Sequence, residues 1–67
     1  MPEAVFLILI HWNAFGFSKA IPPDDDSYRV AYASEALCKA AARTLHVKVP
    51  EFARLEGVRC HRFEVKR

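Results

Sequence analysis

Ala4-Val5-Phe6-Leu7-Ile8-Leu9-Ile10 is an unbroken apolar run in a chain of 67 residues. A strand sends alternate side chains to opposite faces. Val5, Leu7 and Leu9 then line one face, and Phe6, Ile8 and Ile10 the other. The β-branched and aromatic content suits a buried strand over residues 3–12, bracketed by Pro2 and Asn13. Both faces are apolar, so both need cover, and one short helix covers only one. The second face calls for another copy, a partner or a folded-back loop. That requirement points to association rather than catalysis.

Outward from this strand, residues 13–27 read as a long irregular loop. Pro22-Pro23 followed by Asp24-Asp25-Asp26 breaks any regular element, and loops of this length are often functional. Within it, Ala14-Phe15-Gly16-Phe17 either adds a short fourth strand or lies across the open sheet face. Tyr28, Val30 and Tyr32 alternate with Arg29 and Ala31, which predicts a second strand over 28–33. A helix is expected over 35–46. Ser34 is a good N-cap, Glu35 suits the positive end of the helix dipole, and Ala40-Ala41-Ala42 are strong helix formers. Leu37, Ala40, Ala41, Thr44 and Leu45 share the spacing of a core stripe, with Lys39 and Arg43 on the wet side. Pro50 and Gly57 bracket a short helical turn, and a last strand follows over 58–66. The expectation is a single α+β domain over 1–67. Its order is β-β-α-β, with a three-stranded or four-stranded sheet and one helix packed on one face. The last strand returns either parallel to the second or beside the first.

Composition excludes several classes. With 52% hydrophobic and 12% aromatic residues, the chain is too apolar for disorder. A net charge of +2 and a pI near 8.7 fall short of the pI above ~9 typical of strongly nucleic-acid-binding domains. A domain of ~60 residues buries only roughly 60% of its unfolded surface, so a homodimer is a close alternative to a monomer. No apolar run approaches the ~20 residues of a membrane span. Glu3 and the early interruption by His11-Trp12-Asn13 argue against a signal peptide. A cytoplasmic location follows, in which Cys38 and Cys60 are expected to be reduced, small buried hydrophobes. Both pointing into the helix–sheet layer would instead bring them within bonding reach.

No catalytic, metal or cofactor site is expected. His11, His46, His61, Cys38 and Cys60 show no C-x-x-C or H-x-x-x-H spacing, and adjacent Cys60 and His61 must point to opposite faces. Nothing local pairs a nucleophile with a histidine and an orienting group. The only glycines are Gly16 and Gly57, so there is no phosphate-cradling loop. The candidate partner-binding residues are Trp12, Phe15 and Phe17, because aromatic residues are enriched in interface cores. Phe6, Ile8 and Ile10 add apolar anchors, and Asp24, Asp25 and Asp26 a charged rim. The alternative is nucleic-acid binding along the basic last strand by Arg59, Arg62, Lys66 and Arg67, with Phe63 as a stacking platform. The same charges also suit a solvated edge strand that resists aggregation.

Tyr32-Ala33-Ser34-Glu35-Ala36-Leu37-Cys38-Lys39-Ala40-Ala41-Ala42-Arg43-Thr44-Leu45 resembles an aromatic-x-Ser-x-x-x-Cys-x-x-Ala-x-x-x-Leu pattern of short phage and prophage proteins. In those, an apolar N-terminal strand and a later valine–cysteine strand flank the helix, and Val58-Arg59-Cys60 matches the latter. The insertion at 13–27 and the segment 50–57 depart from the compact versions. The resemblance implies an accessory protein of a mobile element, of the kind that includes anti-CRISPR inhibitors of host defence. Such proteins act by binding and blocking a target protein. It carries over no functional residue.

Overall fold

The computed structural model describes residues 3–65. β1 (Glu3–Ala14) is the spine of a three-stranded antiparallel sheet. β2 (Phe17–Ile21) lies along one edge of it and β3 (Ala53–Val65) along the other. Between β2 and β3 the chain forms a 3-10 turn at Asp26–Tyr28 and one helix, α1 (Glu35–Ala42). The α+β class, the β-β-α-β order and the single helix on one sheet face agree with expectation. Among the described residues, no helix is long and apolar enough to cross a membrane.

The register assigns every side chain of β1 to a face. Ile8 stands opposite Cys60, and Ile10 opposite both Val58 and Ile21. Cys60 is bonded to Cys38 of α1, so this is the face that the helix covers. Phe6, Ile8, Ile10, Trp12 and Ala14 point inward there. Ile8, at 2% exposure, and Cys38, at 0%, form the centre of the core with Ile10 and Ala14. Beyond α1, Leu45, Val47 and Val49 are half-buried and alternate with exposed His46, Lys48 and Pro50. This extended strap continues the lid where the helix stops. The outer face carries Val5, Leu7, Leu9, His11 and Asn13, opposite Phe63, His61, Arg59, Gly57 and Arg54. None of those residues is buried.

The second strand is not at 28–33. It is Phe17–Ile21, inside the segment expected to be loop. A two-residue turn at Phe15-Gly16 joins it to β1, with Ala14 opposite Phe17. Both turn residues have positive φ, 55° and 81°, the signature of the type I′ turn that matches strand twist. Pro22-Pro23 then ends the ladder, since proline has no N–H to donate. Asp25 accepts from the Ser27 amide and hydroxyl and closes the 3-10 turn. Of 28–33, only Tyr32 pairs, exchanging both backbone hydrogen bonds with Phe6 at 2.9 and 2.8 Å. The vacant length of the β1 edge is therefore capped at one point only.

The helix starts as expected, with Ser34 Oγ accepting from the Leu37 amide at 3.2 Å. It ends at Ala42 rather than 46. The Thr44 hydroxyl bonds the Ala41 carbonyl at 2.9 Å, and the backbone there tightens to i→i+3 bonds. The buried stripe is one position off expectation. Cys38, Ala41, Ala42 and Leu45 face the sheet, while Leu37 is more than half exposed. The turn expected over 50–57 is absent as a helix, because β1 is long enough to pair with 53–57 as well. A bulge between His11 and Trp12 absorbs one extra residue of β3. The expected end of that strand at Lys66 lies outside the described residues.

Cys38 and Cys60 are joined, which corrects the expectation of reduced thiols. Their Cα atoms are 6.1 Å apart, within the span a disulfide bridges. The bond follows from topology: Cys60 faces inward opposite Ile8, and Cys38 is the helix residue aimed at it.

Candidate functional site

The β1–β2 turn and the start of β3 bring a group of exposed aromatics to one end of the sheet. Phe15 is 80% exposed, Phe17 70% and Phe52 60%. The Phe15 and Phe52 rings stack with centroids 5.3 Å apart and planes 16° from parallel. Phe52 arrives there because Ala53 pairs with Ala14, next to the turn. On the inner side, Trp12 stands between Lys19 of β2 and half-exposed Leu55 of β3. The Lys19 ammonium lies 5.5 Å from the indole centroid, within cation–π range. The Trp12 indole N–H is buried and has no hydrogen-bond partner. Trp12 is thus the half-buried floor of the tip, whereas Phe15 and Phe17 are its exposed contacts.

Phe15 occupies a conformation that costs it stability. A left-handed φ is uncommon for a non-glycine residue and unusual for a bulky one, and L-residues give up roughly 1–2 kcal/mol there. Asparagine or aspartate is the ordinary occupant of this turn position. The chain instead places a phenylalanine there and leaves it in solvent.

The three aspartates do not act as a unit. Asp25 is engaged by Ser27, whose hydroxyl first and amide second hold the carboxyl below its ordinary range. Asp24 and Asp25 line a groove whose other walls include Trp12, Leu45, Val47 and Val49. Arg29 Nε donates to the Pro23 carbonyl and ties down the loop beside them. The basic residues are also divided. Arg59 shares the outer face with Leu9, while Arg62 lies on the inner face opposite Phe6. Arg62 approaches Glu64 at 4.0 Å. Two charges on opposite faces do not make one phosphate-tracking row. Lys66 and Arg67 lie outside the described residues. Of the further apolar anchors expected, Ile8 and Ile10 are buried beneath the helical lid.

Two features escaped sequence reasoning. Phe52 joins the tip only through the β1–β3 register, which no local pattern encodes. His11 and His61 meet on the outer face, their rings 15° from parallel and edge to edge, with centroids 4.9 Å apart and Nε2 atoms at 2.7 Å. They are 50 residues apart in sequence, beyond any short motif. By contrast, the Phe15-Gly16 turn carried a readable signal, a glycine just past an apolar strand.

No family model, curated protein or solved structure matches this chain.

Proposed function

We propose that this chain is a small, non-enzymatic protein-binding module whose contact surface is the aromatic tip. The observation that carries the reading is Phe15, bulky, exposed and held at positive φ. Backbone strain at an exposed side chain is a reason to suspect function. Stacked Phe52 and adjacent Phe17 extend the surface, and aromatic side chains are the usual anchors of protein interfaces. The resemblance to short phage proteins supplies the biological setting: an accessory factor that blocks a host or defence-complex protein, as anti-CRISPR inhibitors do. That setting places the chain in the cytoplasm, where the Cys38–Cys60 bond meets a reducing thiol pool. Cys38 is wholly buried and Cys60 half-buried, so a reducing thiolate has only the Cys60 side to approach from.

Phe15→Asn separates binding from folding. Asparagine tolerates the left-handed turn, so relief of strain exceeds the lost Phe52 stack and stability rises by about 0.5–1 kcal/mol. Capture of a partner protein from nuclease-treated bacterial lysate should fall at least tenfold. Full capture by a stabilised Phe15→Asn chain would place the contact surface elsewhere. Loss of all captured material on nuclease treatment would favour nucleic-acid binding instead.

A further inference from the structure

We propose that His11 and His61 form one half of a zinc site, and that a second copy of this chain, docked open face to open face, completes it. The two imidazoles reach toward each other from neighbouring strands on the outer face. Their Nε2 atoms converge to 2.7 Å, the separation of one shared hydrogen, and a metal ion can replace that hydrogen if the rings move apart. Zinc bonds to imidazole nitrogen at ~2.0–2.1 Å, which puts two nitrogens of a tetrahedral site about 3.3 Å apart. The half-buried rings now point their Nε2 atoms head-on, so to accept the ion they must part by about 0.6 Å and each tilt outward by roughly 35°, toward the angle a tetrahedral ion needs.

The half-site is incomplete alone. Structural zinc takes four protein ligands, and among the described residues no group of three or more His, Cys, Asp or Glu side chains comes together. A two-fold related copy presents the same pair by symmetry, giving four imidazoles and no added negative charge. The same docking covers Val5, Leu7, Leu9 and Phe63, apolar outer-face residues that the fold leaves partly or largely exposed. Packed sheets lie ~10 Å apart, so the imidazole arms of both meet in the gap. Arg59 shares this face and is exposed. Its charge opposes a cation and lowers the affinity. The interface is on the opposite side from the helix and does not depend on the aromatic tip.

The test is sedimentation velocity on the full chain, disulfide intact and without a polyhistidine tag, across a zinc chloride series. The expected result is a doubling of mass at one zinc per two chains, reversed by chelator. His11→Ala and His61→Ala should need at least tenfold more zinc to dimerise, while His46→Ala behaves as wild type. Cobalt titrated into the wild-type chain should give the visible absorption of a tetrahedral site, a readout that survives if either variant misfolds. A chain that stays monomeric in saturating zinc, dimerises equally without it, or shows no tetrahedral cobalt band would overturn the proposal.

Discussion

The two faces of β1 are alike in composition and unlike in fate. Inward-pointing Ile8 and Ile10 are buried, while outward-pointing Val5, Leu7 and Leu9 remain partly in solvent. The difference lies in what crosses over them. α1 and the strap through Leu45, Val47 and Val49 lie over one face, and no helix or strand of the described chain lies over the other, where Leu7 and Leu9 share a hollow with Pro22, Pro23, Tyr28 and Arg29. Burial of an apolar side chain is therefore a property of the crossover, not of the residue. A domain this small owns a single lid, and its other apolar face stays partly in solvent.

The largest effect should come from releasing the lid. Reducing the disulfide, or replacing both cysteines by alanine, removes a cross-link spanning a sequence separation of 22. Loop entropy puts its loss at about 3–4 kcal/mol, a large share of the stability of a domain this size. Urea unfolding with and without reductant measures it. An unchanged midpoint would mean that the lid holds by packing alone.

Matched truncations test the faces directly. Ile8→Ala should cost about 3 kcal/mol, the ordinary loss for emptying a packed core position. Leu7→Ala and Leu9→Ala should each cost under about 1 kcal/mol in the monomer, since partly solvated side chains have less burial to lose. Equal losses on both faces, read from chemical denaturation at low protein concentration, would break the comparison. Outer-face losses that grow with protein concentration would sharpen it, because an interface forms only as copies meet.

The smallest effect concerns the start of the helical lid. Lys39 sits 2.8 Å from Glu35, and its hydrogen bond, then its charge, hold the Glu35 carboxyl below its ordinary range. A carboxylate lowered by folding stabilises the native state above its unfolded titration and loses that contribution as pH falls through the folded one. Glu35→Gln should lower the thermal midpoint slightly at neutral pH, with the difference fading at acid pH as the carboxyl protonates. Exposed pairs contribute little, so the shift is small. The same shift at both pH values would rule out the ion pair as its source.

Much of the fold was legible, and the gaps have physical causes. Ser34 and the alanines announced α1, because capping and propensity are local. Its early end was less visible, since Thr44 stops it with a hydroxyl–carbonyl bond that competes with the next helical turn. The segment 28–33 alternates like a strand, but Pro22-Pro23 and the Asp25–Ser27 turn deliver it to β1 at Tyr32 only. Phe17–Ile21 lacks a strong strand pattern and is a strand because β1 offers it an edge. At the candidate site, Phe15 and Phe17 were identifiable as aromatics beyond the first strand. Phe52 and the His11–His61 pair were not, since cross-strand register joins them.

By itself, the sequence determined that β1 has two apolar faces, that one helix begins after Ser34, and that a last strand follows that helix. These follow from side-chain periodicity, caps and propensities, all of which act within a few residues. Only the tertiary structure decided which face is covered, which aromatics share the tip, and that Cys38 reaches Cys60 and His11 reaches His61. Those outcomes depend on register and crossover, and in a strand a slip of one residue sends every side chain to the opposite face.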